Sequence, residues 1–249
     1  MTERKLYTIP KYIAHRGLHN ESAGVPENSM AAFERALERG FAIELDVRFT
    51  ADRRMVVFHD SNLLRMCGAQ VELRDLTCEQ LRRYSLFGSD ERIPLLTDVL
   101  KLVRGRVFLL IELKDCPEVP DAEKRLVHLL RQYSGGYAVQ SFDPRSLMKL
   151  RLTAPEIMRG QLITLEGRGG RRLAKEIAAT MPVWKNVSKP DFLSWDLKSV
   201  SIDSAFSAAE LNAKLVTWTA DSSELIETDV TFSDAVIFER IPDDYFTDI

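Results

Sequence analysis

The sequence contains little cysteine and little excess charge. Its 249 residues include three cysteines, Cys67, Cys78 and Cys116, an odd number without CxxC spacing. This pattern argues against a disulfide framework and a zinc knuckle, and it predicts reduced thiols. The 34 basic and 37 acidic residues give a net charge of −3. Neither nucleic acid nor a strongly anionic membrane is therefore expected as a partner.

The sequence also lacks long apolar runs. The longest, VFLLI at 107–111, is far shorter than the ~20 residues that span a bilayer, so we expect no integral membrane association. The first residues, MTERKLYTIPKYIAHRG, mix charges throughout and lack the apolar core of a signal peptide. We therefore expect a cytoplasmic location. The oligomeric state cannot be predicted from these features.

Strand-like and helix-like segments alternate along most of the chain. The strand-like segments are YIAH (12–15), AIELDV (42–47), VFLLIEL (107–113), YAVQS (137–141), EIMRGQLI (156–163), DFLSWDL (191–197), KLVTWT (214–219) and DAVIF (234–238). Segments with helical spacing of apolar residues lie between them, at 28–40, 95–103, 121–133, 143–151, 171–181, 204–212 and 222–228. Asn28 and Asp143 are predicted to begin two of these helices. Eight such strands at this length predict an α/β fold, a TIM (β/α)₈ barrel that forms one domain over residues 1–249.

One further strand-like segment, MVVFH at 55–59, breaks the alternation. Only TADRR separates it from the strand that ends near Phe49, and such a short link permits a hairpin but no parallel crossover. We therefore predict a β-hairpin arm after the second strand, which returns His59 to the level of Glu44 and Asp46. The insertion at 61–93 that follows is too short for a separate domain.

Glu44 and Asp46 lie on the same face of their strand, because side chains alternate in direction along a strand. A polar face that simply meets water would explain this pair taken alone. Other polar residues also follow strand ends, however, and in a barrel these ends meet at the rim that carries the active site. They are His15-Arg16-Gly17, His59-Asp60, Glu112-Leu113-Lys114, Gln140-Ser141-Phe142 and Trp218.

The carboxylates Glu44, Asp46 and Glu112 offer only oxygen ligands, which hard divalent cations prefer. We therefore predict that they hold one ion, Mg²⁺ or Ca²⁺. An alternative is that Arg16, Arg48 or Lys114 neutralises the acids directly. Arg48 points the same way as the acids, so it can serve either a salt bridge or an anionic substrate.

Two histidines, His15 and His59, are predicted at the same rim. A single histidine at a strand end is as often structural as catalytic, but a pair suits proton transfer to a leaving group and from a nucleophile. Together with a cation, Arg16 and Lys114, the pair points to an anionic substrate, and a phosphodiester meets these requirements. His19 and His128 are interpreted as ordinary residues.

These residues resemble the glycerophosphodiester phosphodiesterase family. The resemblance covers about the first 145 residues closely and the rest more loosely. It includes His15-Arg16-Gly17, Pro26-Glu27-Asn28-Ser29, Ala32-Phe33, Glu44-Leu45-Asp46-Val47, Thr50 with Asp52, Val56-Val57-Phe58-His59-Asp60, Leu64-Arg65, Glu112-Leu113-Lys114, Gln140-Ser141-Phe142 and Trp218-Thr219.

The resemblance implies a TIM-barrel hydrolase that cleaves small glycerophosphodiesters to glycerol 3-phosphate and an alcohol. It further implies that His15 and His59 are general acid and base, that Glu44, Asp46 and Glu112 bind the metal, and that Arg16 and Lys114 contact the phosphate. A glycerol hydroxyl as first nucleophile, with a cyclic phosphate that water opens, is also compatible with the family. We add Arg48, Phe142 and Trp218 as candidate substrate contacts.

The chain departs from the family pattern at three places. The last strand ends in Phe238-Glu239 where Thr-Asp is common, the arm tip reads ADRR where a glycine turn is common, and Arg48 replaces an uncharged amide. A lipid-directed phospholipase D of the lysophospholipase or sphingomyelinase type is the alternative enzyme. An inactive barrel that only binds phosphorylated metabolites is the second alternative.

Overall fold

The computed structural model describes residues 7–164, 184–242 and 245–248. The chain forms two compact units, one of Ala14–Tyr137 and the other of Met1–Ile13 with Ala138–Ile249. The first strand, β1 (Tyr12–Ala14), crosses from one unit into the other. The prediction that the whole chain is one domain stays a prediction.

In the unit Ala14–Tyr137, three strands form the framework for the polar residues singled out above. They are β2 (Ala42–Phe49), β3 (Met55–Val57) and β4 (Leu109–Leu113). Strand β2 pairs in parallel with β4, and Asp46 lies opposite Glu112. It also pairs antiparallel with β3, with Val47 opposite Val57. The predicted hairpin arm is confirmed.

Short helices and turns complete this unit. The α-helices are α1 (Met30–Glu38), α2 (Leu64–Cys67), α3 (Cys78–Leu81), α4 (Leu96–Val103) and α5 (Ala122–Leu130), and 3₁₀ turns occupy Glu21–Ala23 and Leu73–Asp75. Helices α2 and α3 belong to the insertion at 61–93. A small apolar cluster, which includes Phe58, Leu63, Met66 and Leu81, packs this insertion against the arm.

The start of α1 differs from the prediction. The N-cap is Ser29 rather than the predicted Asn28. The Ser29 hydroxyl accepts a hydrogen bond from the backbone N–H of Ala32. Asn28 adopts a left-handed conformation with φ 56°, which Asn tolerates better than most residues. Its side chain is therefore released from capping and is directed to Asp46.

The second unit contains a parallel sheet. Its strands are β5 (Tyr137–Ser141), β6 (Met158–Ile163), β7 (Phe192–Asp196), β8 (Lys214–Ala220) and β9 (Ala235–Phe238), and each pairs in parallel with the next. Each of the eight predicted barrel strands thus has its counterpart among β1, β2 and β4–β9. Gly160 faces Phe192 across β6 and β7, where a Cβ atom would lie 2.0 Å from the Phe192 ring.

Three α-helices are described in this unit: α6 (Pro144–Thr153), α7 (Ile202–Glu210) and α8 (Ser223–Asp229). A π turn at Trp184–Ser188 and a 3₁₀ turn at Tyr245–Asp248 accompany them. Asp143 caps α6 through the backbone of Arg145, and Pro144 occupies the first turn, as predicted. The helix predicted at 171–181 lies outside the described residues. Among the described helices, none has the length and apolar character needed to cross a membrane.

Candidate metal and active site

Three buried carboxylates converge on two neighbouring strands. Glu44 and Asp46 extend from β2, and Glu112 extends from β4 directly opposite Asp46. One oxygen of each carboxylate lies within 4.8 Å of the others, and the three residues are 2%, 1% and 6% exposed. The alternation of β2 and its parallel register with β4 are sufficient to bring the acids together.

The triad fits one hard cation. All three residues offer oxygen, and two oxygens bound to one Ca²⁺ at about 2.3–2.6 Å can be up to about 5 Å apart. The observed separations lie within that reach. Water would normally solvate such acids, but here they are buried, so their charge is either compensated by cations or lost through protonation.

Two basic side chains contact the triad. Lys114 Nζ lies 2.8 Å from Asp46 Oδ1 and 2.6 Å from Glu112 Oε1. Arg16 Nε lies 3.4 Å from Asp46 Oδ2. These contacts agree with the alternative of direct neutralisation for Lys114 and Arg16, but two positive charges do not balance the three carboxylates when all three are ionised. Arg48 instead donates its Nε–H to the backbone oxygen of His59, at 2.8 Å.

The three carboxyl groups differ in their ionisation. Burial, followed by repulsion from Asp46 and Glu112, raises the pKa of Glu44 well above its ordinary value. Burial also raises the pKa of Glu112, although Lys114 offsets part of this effect. For Asp46, burial acts in the same direction, but the attraction of Lys114 and Arg16 outweighs it and lowers the pKa. Without a cation, burial and the neighbouring acids thus favour the protonated form of Glu44, and a bound cation would favour its ionised form.

The loop after β1 directs its backbone at Glu44. Arg16 has φ 54°, and its N–H donates to Glu44 Oε2 at 3.1 Å. Gly17 follows with φ 82°, and a Cβ there would lie 2.9 Å from the backbone of Ala32. Only glycine satisfies both the positive φ and the close approach. His15, half-buried, precedes Arg16 in this turn.

The arm brings His59 back to the acidic strand. The N–H of Phe58 donates to the backbone oxygen of Asp46 at 2.9 Å, which fixes the end of the arm beside β2. His59 Nδ1 lies 2.7 Å from Asp60 Oδ1. The imidazole side chain is 35% exposed, so its other nitrogen can meet a ligand. The predicted return of His59 to the level of Asp46 is confirmed.

Four residues near the site are not among the site residues predicted from the sequence. Asn28 donates its Nδ2–H to Asp46 Oδ2 at 2.7 Å. The other three, Glu27, Asp60 and Arg65, form a network of ion pairs that reaches both Arg16 and His59. The sequence signals for this group were the motifs Pro26-Glu27-Asn28-Ser29, His59-Asp60 and Leu64-Arg65.

Phe142 and Trp218 belong to the second unit. Their rings are in edge-to-face contact, with centroids 5.9 Å apart. Trp218 Nε1 donates to the backbone oxygen of Ser194 at 2.9 Å, and Phe142 is 44% exposed. An exposed aromatic edge of this kind is compatible with a substrate contact, which stays a prediction.

Solved structures of similar fold define the class of the chain. A phosphodiesterase from Oleispira antarctica, whose structure is a complex with the product sn-glycerol-3-phosphate, superposes with a TM-score of 0.76 at 20% identity, covering 93% of each chain. This likeness confirms the predicted fold class, a TIM barrel.

Sequence comparison then gives the family. The model of the glycerophosphoryl diester phosphodiesterase family matches residues 15–241, and the chain belongs to this family. A glycerophosphodiester phosphodiesterase of Caldanaerobacter subterraneus is 36% identical over 161 residues, and the Bacillus subtilis protein YhdW is 40% identical over 154 residues. These matches cover 60% and 58% of this chain, and 65% and 62% of the relatives' own lengths.

Proposed function

We propose that this chain hydrolyses glycerophosphodiesters to glycerol 3-phosphate and a free alcohol. The observation that carries the proposal is the buried triad Glu44, Asp46 and Glu112, adjacent to two basic side chains and to the arm that bears His59. Membership of the family supports the same activity, as does the product bound by the Oleispira antarctica relative.

One divalent cation, Mg²⁺ or Ca²⁺, would be held by Glu44, Asp46 and Glu112. Such a cation supplies charge stabilisation to an oxyanion of the phosphodiester. Arg16 and Lys114 form ion pairs with carboxylates of this triad. We propose that their positive charges also bind the phosphate oxygens of the substrate. An anionic substrate would complete the charge balance of this group of residues.

The proposed proton transfers use His15 and His59. One imidazole takes a proton from the attacking hydroxyl, and the other gives a proton to the departing alkoxide. The contact between His59 Nδ1 and Asp60 supports this role, because a carboxylate at Nδ1 orients the ring and leaves Nε2 for the substrate. The first nucleophile would be a neighbouring glycerol hydroxyl, and water would then open the cyclic phosphate.

Arg48 in one unit, and Phe142 and Trp218 in the other, are the remaining candidate substrate contacts that we propose. Arg48 adds a positive charge two residues beyond Asp46, on the same strand face. Phe142 and Trp218 add an apolar edge. We propose a small, water-soluble glycerophosphodiester rather than a lipid, and a cytoplasmic enzyme, as the sequence predicts.

A turnover assay on a substrate panel tests this proposal. The panel contains glycerophosphocholine, glycerophosphoethanolamine, glycerophosphoglycerol and lysophosphatidylcholine, and glycerol 3-phosphate and choline are measured. We expect glycerol 3-phosphate from the soluble diesters, and its loss when EDTA is added. His15→Ala and His59→Ala should each reduce turnover by about 10²-fold or more.

His128→Ala is the matched control, because His128 is exposed on α5 beside Gln132 and should tolerate the change. Choline release from lysophosphatidylcholine that exceeds release from glycerophosphocholine would establish the lipid-directed alternative. Binding of glycerol 3-phosphate without any turnover of the panel would establish the inactive barrel.

A further inference from the structure

Arg65 donates several hydrogen bonds to carboxylates, although its side chain is half exposed. It lies on the short helix α2, and its side chain is 46% exposed. Its Nη1 and Nη2 donate to the two carboxylate oxygens of Glu27 at 2.8 and 2.7 Å. Its Nε and Nη2 also donate to the two oxygens of Asp60 at 2.7 and 3.1 Å. One guanidinium thus holds two carboxylates by paired hydrogen bonds, a geometry that lysine cannot reproduce.

Each of the two carboxylates has a second partner in the proposed active site. Glu27 Oε1 accepts from Arg16 Nη1 at 2.8 Å. Asp60 Oδ1 lies 2.7 Å from His59 Nδ1. The series Arg16, Glu27, Arg65, Asp60 and His59 is therefore continuous. It joins the loop after β1 to the end of the arm through direct contacts within one unit of the chain.

Arg65 stabilises the ionised form of Glu27 and thereby affects the position of Arg16. Although burial opposes ionisation of Glu27, its hydrogen bonds to Arg65 and its attraction to Arg16 lower the pKa of that carboxyl. Without Arg65, the buried anion of Glu27 would keep Arg16 as a charged partner. Arg16 would then be drawn to Glu27 and away from Asp46, where its Nε now lies at 3.4 Å.

Loss of the Arg65 side chain would also free the Asp60 carboxylate to rotate. Arg65 holds both oxygens of Asp60, which prevents rotation of the carboxylate away from His59. A carboxylate that accepts from Nδ1 keeps the proton there and leaves Nε2 as the acceptor. A freely rotating Asp60 would no longer select this form of the ring.

We propose that Arg65 is a positioning residue, which orients Arg16 through Glu27 and His59 through Asp60. The effect of Arg65 on turnover rests on the proposed function. The effect of Arg65 on the His59 ring does not depend on that function. A salt bridge that only stabilises α2 would affect neither Arg16 nor His59.

Kinetics of Arg65→Ala and Arg65→Lys, with Arg82→Ala as control, form the first part of the test. Arg82 makes an exposed ion pair with Glu79 in the same insertion, and its loss should leave kcat unchanged. For Arg65→Ala, kcat on the best diester of the panel should fall by about 10–100-fold, with a smaller change in KM. Arg65→Lys should recover little of this loss. Millimolar guanidinium should partly restore Arg65→Ala, because the space left is open to solvent, and should not stimulate Arg82→Ala.

The second part is independent of turnover. In ¹⁵N-histidine-labelled protein at alkaline pH, the His59 signals, assigned by comparison with His59→Gln, should show the proton on Nδ1. In Arg65→Ala and Arg65→Lys they should move toward the Nε2-protonated form, and in Arg82→Ala they should not move. If wild type shows no turnover, the proposed function fails, and these signals still decide the role of Arg65.

Two results would overturn the inference. One is a folded Arg65→Ala protein with wild-type kcat and unchanged His59 signals. The other is an Arg65→Lys protein with both wild-type kcat and wild-type His59 signals, which would show that a positive charge at this position is sufficient to orient Arg16 and His59. If Arg65→Ala does not fold, Arg65→Lys keeps the charge and most of the volume, so the His59 signals are measured on that variant.

Discussion

The side-chain amide of Asn28 donates a hydrogen bond to Asp46 Oδ2 at 2.7 Å. Both residues are 1% exposed. Asn28 can reach Asp46 because its backbone is left-handed and its N–H donates to the backbone oxygen of Arg16 at 2.9 Å. An amide at this place holds the carboxylate in orientation without adding a charge. The loop after β1 and the acidic strand are thereby fixed to each other.

Asn28→Asp should destabilise the fold in the presence of a chelator. Asp accepts the left-handed backbone, but its carboxylate would face that of Asp46 in a buried setting. We expect a loss of about 1–3 kcal/mol in the free energy of unfolding by urea at pH 8. Asn28→Gly keeps the positive φ and removes only the amide, so it should lose less. Equal stability of Asn28→Asp and wild type would show that this contact is solvated.

Much of the strand framework could be predicted from the sequence. Strand β5 (Tyr137–Ser141) has the predicted bounds, and β3 forms the hairpin that the five-residue link required. These features depend on local spacing, which a sequence displays directly. Glu44 and Asp46 were placed on one face by the same alternation. Their proximity to Glu112 followed from the meeting of strand ends at one rim.

The contacts around the triad could not be predicted in the same way. Glu27 and Arg65 are 38 residues apart in sequence, and their pairing depends on how the insertion packs against the arm. The prediction that Asn28 caps α1 was wrong, because Ser29 competes for the same role and wins it. Ser29 becomes the cap because Asn28 instead forms hydrogen bonds with Arg16 and Asp46, which lie in other segments of the chain.

Gly17→Ala should be more damaging than Gly24→Ala. Both glycines have positive φ, 82° and 74°, so both substitutions introduce backbone strain. A Cβ at Gly17 would also meet the backbone of Ala32 at 2.9 Å, whereas nothing lies within 4 Å at Gly24. We expect Gly17→Ala to cost about 1–3 kcal/mol more in urea unfolding. Equal losses would mean that the loop moves away from α1 without cost.

The half-buried thiols of Cys67 and Cys116 should react slowly at neutral pH. Burial raises the pKa of Cys67 to about 11, and burial together with Glu118 raises that of Cys116 to about 12. At pH 8 only about one molecule in a thousand carries a Cys67 thiolate, compared with about one in four for a thiol of ordinary pKa. In a Cys78→Ser protein, the alkylation rate by iodoacetamide should rise about tenfold per pH unit up to pH 10. Labelling at pH 7 as fast as that of glutathione would contradict these pKa values.

Glu44→Gln should separate a metal site from direct neutralisation by Lys114 and Arg16. Glutamine keeps an oxygen that can accept from the N–H of Arg16, which Glu44 Oε2 accepts at 3.1 Å. It also removes the carboxyl group whose pKa burial and the neighbouring acids raise. In EDTA, therefore, the variant should be at least as stable as wild type.

Added Mg²⁺ or Ca²⁺ should then distinguish the two proteins. If the triad binds the ion, wild type should gain about 2.7 kcal/mol at a metal concentration 100 times Kd, measured as a rise in Tm. Glu44→Gln should gain far less, because a neutral amide replaces an anionic ligand. Glu123→Gln, which alters a buried acid on α5 outside the triad, is the control and should respond like wild type. Direct neutralisation predicts the opposite pattern, in which neither metal nor EDTA changes the Tm of wild type, because Lys114 and Arg16 already complete the site.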